Sequence, residues 1–244
     1  MTIIARDEAD RIGDAIRSVD FADEVLVLDS GSADDTVAVA RALGARVERT
    51  DWPGHVAQKN RALALASHDW ILSIDADERV GPELAAAVRT VMADGPRAAG
   101  YAVSRLSTYL GAELRHGNWY PDRRVRLFDR RCARWGGRDP HDRVVLDGRR
   151  GDLSGDLLHV PYRNFGEHLR TIDQYAATSA AGLRADGVEA RWWDLLLRPP
   201  LHFVKGYLLR AGFRDGTRGL LVAVLGAVYV LLKWSRVRLG EEGP

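Results

Sequence analysis

The stretch Glu24-Val25-Leu26-Val27-Leu28-Asp29-Ser30-Gly31-Ser32 decides how the chain is read. Its apolar run is continuous rather than alternating, which marks a strand buried on both faces. The run ends in Asp29, and Ser30-Gly31-Ser32 is turn chemistry. Upstream, residues 1–5 form a short apolar strand, and Asp7 to Val19 reads as a helix with Ile12, Ile16 and Val19 on one face. Downstream, Thr36 to Leu43 is helical with Gly44 as its stop, Val47 centres a weak strand, and Val56 to Ala66 is helical. Trp70-Ile71-Leu72-Ser73-Ile74 repeats the buried-strand pattern and also ends in a carboxylate, Asp75. Pro82 suits the first turn of a helix over Glu83 to Met92. This alternation predicts an α/β fold, a mostly parallel sheet flanked by helices. Ligands of such sheets bind at the carboxyl ends of the strands, where Asp29 and Asp75 fall.

Residues 100–160 change character. Short strands (Tyr101–Arg105, Arg124–Phe128, Arg143–Leu146, Leu157–Val160) are expected among Gly, Arg and Trp, in an irregular second half of the same domain. A helix is expected over 164–186. Residues 191–244 form a basic, apolar, helical tail. No internal repeat or low-complexity segment interrupts the chain.

The 244 residues are 46% apolar and 28% charged, ordinary for a folded protein. One cysteine, Cys132, rules out an intrachain disulfide framework and fits a reducing compartment. The first residues run straight into Arg6-Asp7-Glu8 without a signal-like apolar segment, so a cytosolic location is expected. Net charge is +1, but nine basic side chains lie within 191–238 against Asp194 and Asp215. That asymmetry suggests an anionic partner for the tail. Near-zero net charge and the lack of any RNA or DNA module argue against nucleic acid.

Ile74-Asp75-Ala76-Asp77-Glu78 places two carboxylates one residue apart at a strand end. Hard cations such as Mg²⁺ or Mn²⁺ take oxygen ligands and are often shared with substrate phosphates. With Ile3-Ile4-Ala5-Arg6-Asp7-Glu8, Val27 to Thr36, Gln58-Lys59-Asn60, Arg123 to Phe128 and Pro140-His141-Asp142, in this order and spacing, the chain resembles the family 2 glycosyltransferases. It is similar in particular to the group that glucosylates the inner core of lipopolysaccharide, over nearly the whole length.

The resemblance implies a GT-A fold, a UDP-sugar donor, a divalent cation and inversion at the anomeric carbon. Residues 1–100 then become the nucleotide-sugar-binding half and 101–190 the acceptor-binding half. Asp29 and Ser30 are implied beside uracil and ribose, Lys59 near the nucleotide, Asp75 by the donor ribose or sugar, and Asp77 on the metal. Asp7 stands where the family usually has Asn, and is placed with the donor-binding residues. Asp142 stands where the family often has Glu. Inversion needs a general base opposite the leaving group, and Asp142 is the candidate, Asp139 the reserve. The alternative for Asp142 is a plain ion pair with Arg138 or Arg143. His159 is the candidate second metal ligand. Of the eight arginines in 115–138, Arg123 and Arg126 are the candidates for oxyanion binding, since a planar guanidinium matches diphosphate. Trp119-Tyr120 is a candidate sugar-stacking pair, while Trp192-Trp193 lean toward a membrane interface.

Gly219 to Leu232 carries no charge. As a helix it would be about 21 Å long, short against a bilayer core of about 30 Å. Its arginine-rich flanks and Trp234 suit a helix lying in the interface of an anionic leaflet. The expected protein is thus peripheral to the inner face of the cell membrane, acting on a glycolipid or lipopolysaccharide-core acceptor. Two alternatives stand beside this reading: a polyprenyl-phosphate sugar synthase on the same fold, and a catalytically silent nucleotide-sugar-binding module.

Overall fold

The structure, a computed structural model, describes residues 1–138 and 141–240, with the backbone alone at Arg138 and His141. The chain divides into two compact units, one of residues 1–105 and 122–159, the other of residues 106–121 and 160–240.

The first unit begins with four parallel strands: β1 (Thr2–Ala5), β2 (Leu26–Asp29), β3 (Arg46–Arg49) and β4 (Trp70–Asp75). All four β2 residues are buried, as the unbroken apolar run requires of a central strand. β3 is the edge strand, exposed at both ends, which explains its weak sequence signal. Helices α1 (Ile12–Arg17), α2 (Thr36–Ala42), α3 (His55–Leu65) and α4 (Pro82–Asp94) connect the strands. Ile12, Ala15 and Ile16 of α1 and Leu84, Ala85 and Val88 of α4 pack into the same core as Ile3, Val27, Leu72 and Ile74.

α1 is shorter than the helix expected over Asp7–Val19. The backbone N–H groups of Asp7, Glu8 and Ala9 donate instead to Ser32 Oγ, Thr36 Oγ1 and Asp34 Oδ2, at 2.9, 2.8 and 3.1 Å. The segment is stitched to the β2–α2 turn, and Asp7 takes a left-handed φ of 55°.

Residues 100–159 are more regular than expected. After β5 (Glu78–Val80) come β6 (Gly100–Tyr109), β7 (Ala112–Leu114), β8 (Asp122–Asp129), the hairpin β9 (Ala133–Arg138) with β10 (His141–Leu146), and β11 (Arg150–His159). β8 pairs antiparallel with β4, so the parallel sheet continues as β3-β2-β1-β4-β8-β6-β11-β5. The halves on either side of residue 100 therefore share one sheet. The mixed α/β architecture with a C-terminal apolar helix is the one expected. The turn from parallel to antiparallel pairing lies at β4, whose carboxyl end carries Asp75.

In the second unit, α5 (Phe165–Ala185) is capped by Asn164, whose side chain accepts from the Glu167 N–H at 2.9 Å. α6 (Trp192–Val204) continues through a π-helical turn (Lys205–Leu209) and a short 3-10 turn (Gly212–Asp215) into α7 (Gly216–Leu239). α7 has 24 residues, about 36 Å of helix. It outruns the uncharged stretch, because Arg218 and the basic residues of its last turns remain helical. It is therefore long and apolar enough to cross a membrane by length and composition, contrary to the shorter span expected. It also packs inside the unit. Gly226 leaves the space that His202 of α6 fills, the Ser179 and Tyr229 hydroxyls bond at 2.9 Å, and Arg236 pairs with Asp173 at 2.8 Å. Trp119 contributes to an aromatic cluster with Tyr109, Tyr162 and His168.

Candidate active site

Lys59 lies on the inward face of α3, beside buried Gln58 and Ala62. Its side chain is only 5% exposed, and its ammonium bridges two carboxylates, Asp75 Oδ1 at 2.9 Å and Asp142 Oδ2 at 2.8 Å. It also sits over the Trp135 ring, 4.4 Å from the centroid. The hairpin that carries Trp135 and Asp142 is held to α3 by a reciprocal pair: Asn60 Nδ2 donates to the Trp135 carbonyl and the Trp135 N–H donates to Asn60 Oδ1, both at 2.9 Å. The Gln58-Lys59-Asn60 triplet thus brings the end of β4 and the start of β10 together, although they lie far apart in sequence.

Behind this bridge is a second layer of charge. Arg126 Nη2 reaches Asp75 Oδ2 at 3.1 Å and Glu78 Oε1 at 2.6 Å. Glu78 is fully buried, accepts the Asp75 N–H at 2.9 Å through Oε2, and faces Arg105 at 3.5 Å. Arg105 is anchored in turn by Asp122 at 2.7 Å. Burial alone would raise the Asp75 carboxyl, but Lys59 and Arg126 outweigh it and hold its pKa well below the ordinary carboxylate value. Burial likewise opposes the charge on Arg126, yet Glu78 and Asp75 raise its pKa overall. Arg126 Nε and the Trp135 indole N–H are buried without a hydrogen-bond partner. Buried unsatisfied donors are uncommon and call for an explanation.

Asp77 follows Asp75 by two residues and faces His159 at the end of β11, Oδ2 to Nε2 3.4 Å. The antiparallel register of β5 and β11 sets Glu78 opposite His159, which fixes the imidazole beside the carboxylate. Burial raises the Asp77 carboxyl, and the His159 hydrogen bond and charge more than offset it, leaving its pKa lowered. Among the described residues, no group of three or more His, Cys, Asp or Glu side chains is arranged to hold a metal. A carboxylate and an imidazole at this separation fit two ligands of a small cation. Asp75 is committed to Lys59 and Arg126.

Asp29 ends β2 and Ser30 follows it. The Asp29 carboxylate closes its own turn, accepting the Gly31 and Ser32 N–H groups at 3.2 Å and the Ser32 hydroxyl, with Arg49 at 3.5 Å. Ser30 Oγ accepts from Gln58 Nε2 at 2.9 Å, and Gln58 also donates to Thr50 at 2.7 Å. Asp7 Oδ1 accepts the Ala33 N–H at 2.8 Å. These three residues therefore line the strand-end loops, with Asp29 and Asp7 supporting the backbone there.

Of the residues expected at the site, Lys59, Asp75, Arg126 and Asp142 form one contact network, with Asp77 and His159 beside it. Lys59 meets Asp142 directly, at 2.8 Å; the Arg138 side chain lies outside the described residues. Arg123 is not brought into the network: it pairs with Asp152 of β11 at 2.7 Å on an open surface. Asp139 lies outside the described residues, as does the His141 side chain. Glu78, Arg105, Gln58, Asn60 and Trp135 join the site without a role that the sequence assigns them. Glu78 was legible as a third carboxylate directly after Asp77. Trp135 and Arg105 carry no local signal, because only strand pairing brings them here.

The chain is similar to known proteins. The family model described as glycosyl transferase family 2 matches residues 2–144, more than half of the chain. The lipopolysaccharide core biosynthesis glycosyltransferase LpsC of Rhizobium meliloti is 28% identical over 96% of this chain and 90% of its own. An uncharacterized glycosyltransferase of Rickettsia felis is 30% identical over 97% of this chain and 88% of its own. Glucosyl-3-phosphoglycerate synthase of Mycobacterium tuberculosis, solved with Mn²⁺, UDP and glucosyl-3-phosphoglycerate, aligns at 30% identity and a TM-score of 0.36, over 44% of this chain and 43% of that one. The chain is a glycosyltransferase and belongs to glycosyl transferase family 2.

Proposed function

We propose that the enzyme is an inverting transferase that moves a hexose, glucose in the first instance, from a UDP-sugar to a lipopolysaccharide core or other lipid-linked glycan at the inner face of the cell membrane. The observation that carries this reading is the Lys59 bridge: one buried ammonium shared by the strand-end Asp75 and by Asp142. Similarity to LpsC along nearly the whole chain supports the acceptor class.

The donor lies across the carboxyl ends of β1, β2 and β4. Asp7, Asp29 and Ser30 shape the loops beside the base and ribose, and Asp75 orients the ribose or sugar. Lys59 and Arg126 are the cations in reach of the donor, and the unspent Arg126 Nε and Trp135 indole N–H are donors suited to its polar oxygens. Asp77 and His159 would hold Mg²⁺ or Mn²⁺, which would supply positive charge to neutralise the departing nucleoside diphosphate. Asp142 is the general base. Its Oδ2 is taken by Lys59, so Oδ1 accepts the proton of the acceptor hydroxyl as that oxygen attacks the anomeric carbon. The C–O bond to the diphosphate breaks, and UDP leaves with the bonding pair. General-base catalysis of this kind contributes about 10²–10⁴-fold.

Isothermal calorimetry with UDP-glucose and UDP, in Mg²⁺, Mn²⁺ or chelator, tests the donor. Metal-dependent binding is expected. Binding of no UDP species would refute the donor assignment, and binding without turnover on any lipid-linked acceptor would favour a silent nucleotide-sugar-binding module.

A further inference from the structure

Amphipathic helices of soluble proteins turn their apolar stripe inward. α6 does the opposite. Leu196, Leu197 and Leu201 are 62%, 56% and 63% exposed, and Leu208 and Leu209 in the following π-helical turn are 53% and 78% exposed. Trp193, Leu197, Leu201, Val204 and Leu208 follow one another at spacings of three and four, all on the exposed side. Phe213 extends the row at 51%. From Trp192 to Leu209 this stripe is about 26 Å long.

Charge borders the stripe. Arg191, Arg198, Lys205, Arg210 and Arg214 are all exposed. The two acidic residues of the segment are partnered locally: Asp194 pairs with Arg198 at 2.6 Å, and Asp215 is hydrogen-bonded to the His116 imidazole at 2.7 Å and to the His116 backbone N–H at 2.9 Å. Trp192 and Trp193 stand at the helix start, with the Arg191 guanidinium 5.1 Å from the Trp193 ring centre. Apolar side chains outward, basic side chains beside them and indoles at one end are complementary to a leaflet with anionic headgroups. A second copy of this chain would bring the same positive charges face to face.

α7, although long enough to span, keeps Val222, Leu225, Val230, Trp234 and Val237 buried. Trp234 lies under the Arg198 guanidinium at 4.0 Å. Insertion of α7 across a bilayer would break the packing that holds α6, whereas α6 reaches lipid without any rearrangement.

The geometry points to α6 and its π-helical turn as the membrane-docking element, lying in the plane of an anionic leaflet, with α7 as its support. This deepens the membrane reading above and rests on it only for its purpose, so it is tested without donor or acceptor. The full-length protein is sedimented with vesicles of phosphatidylcholine and phosphatidylglycerol in equal parts, and with phosphatidylcholine alone. Binding to the mixed vesicles that weakens with salt is expected. Leu197→Glu with Leu201→Glu lowers partitioning on the order of tenfold or more, with the circular dichroism spectrum unchanged because both side chains are already in solvent. Lys205→Glu with Arg214→Glu weakens binding to the mixed vesicles alone. Val224→Glu with Val228→Glu, on the exposed side of α7, leaves partitioning intact. Release by the α7 pair but not by the α6 pair overturns the assignment. So does a wild-type dimer in sedimentation equilibrium that Leu201→Glu dissociates, since a second copy would then be the occupant. Loss of sugar transfer with vesicle binding preserved would count against the proposed acceptor and leave the docking surface standing.

Discussion

Lys59→Met tests whether the bridge is an electrostatic keystone of the site. Methionine keeps the unbranched stem and a polarizable end against the Trp135 ring, so the change removes charge with little change in volume. Asp142, 13% exposed, then keeps its charge without the ammonium at 2.8 Å. Asp75 retains Arg126 at 3.1 Å and is 28% exposed, which softens its loss. Removing one partner of a buried pair costs about 3–5 kcal/mol, and the surviving arginine places this case near the low end, about 3 kcal/mol. The pH dependence follows from the lowered Asp75 pKa. A carboxylate held below its unfolded value of about 3.9 contributes stability that is complete above that value and fades as pH falls toward the folded one. Wild type and variant should therefore differ fully at neutral pH and converge in acid. Urea unfolding, followed by tryptophan fluorescence at several pH values, measures this directly. A difference below about 0.5 kcal/mol at neutral pH, within the range of an ordinary surface change, or a gap that widens in acid, would refute the reasoning.

Asp142→Asn should retain UDP-glucose binding and lose about 10²–10⁴-fold in transfer; a near-normal rate in a coupled UDP-release assay would remove Asp142 as the base. Asp77→Ala should abolish metal-dependent turnover and the metal dependence of UDP binding in calorimetry, while His159→Ala, which leaves the carboxylate in place, should weaken both less; equal and unchanged metal affinity in the two would dismiss the pair as ligands. Glu78→Gln keeps the shape but leaves Arg126 and Arg105 short of a buried counter-charge, so it should destabilise by about 3–5 kcal/mol; a melting temperature equal to wild type would contradict the second charge layer.

Much of the parallel part of the sheet can be read from the chain alone. β2 and β4 are legible because unbroken apolar runs fit the middle of a parallel sheet, and the carboxylates ending them fall at the edge where ligands of such sheets bind. The sequence also determined the D-x-D pair, Asp142 as a candidate carboxylate among arginines, and the basic apolar tail. Local patterns stop there, because ion pairs between distant segments leave no periodic trace. Only the tertiary structure decided that Lys59 meets Asp142, that Glu78 anchors Arg126 and Arg105, and that Arg123 turns away to Asp152. The same holds for the tail. Composition singles out the uncharged run of α7 as the lipid-seeking element, but burial depends on which helix faces solvent once the bundle has packed, and that places the most exposed apolar stripe on α6, where Leu196, Leu197 and Leu201 are 62%, 56% and 63% exposed against 38% to 42% for Leu220, Val224, Val228 and Leu231 of α7.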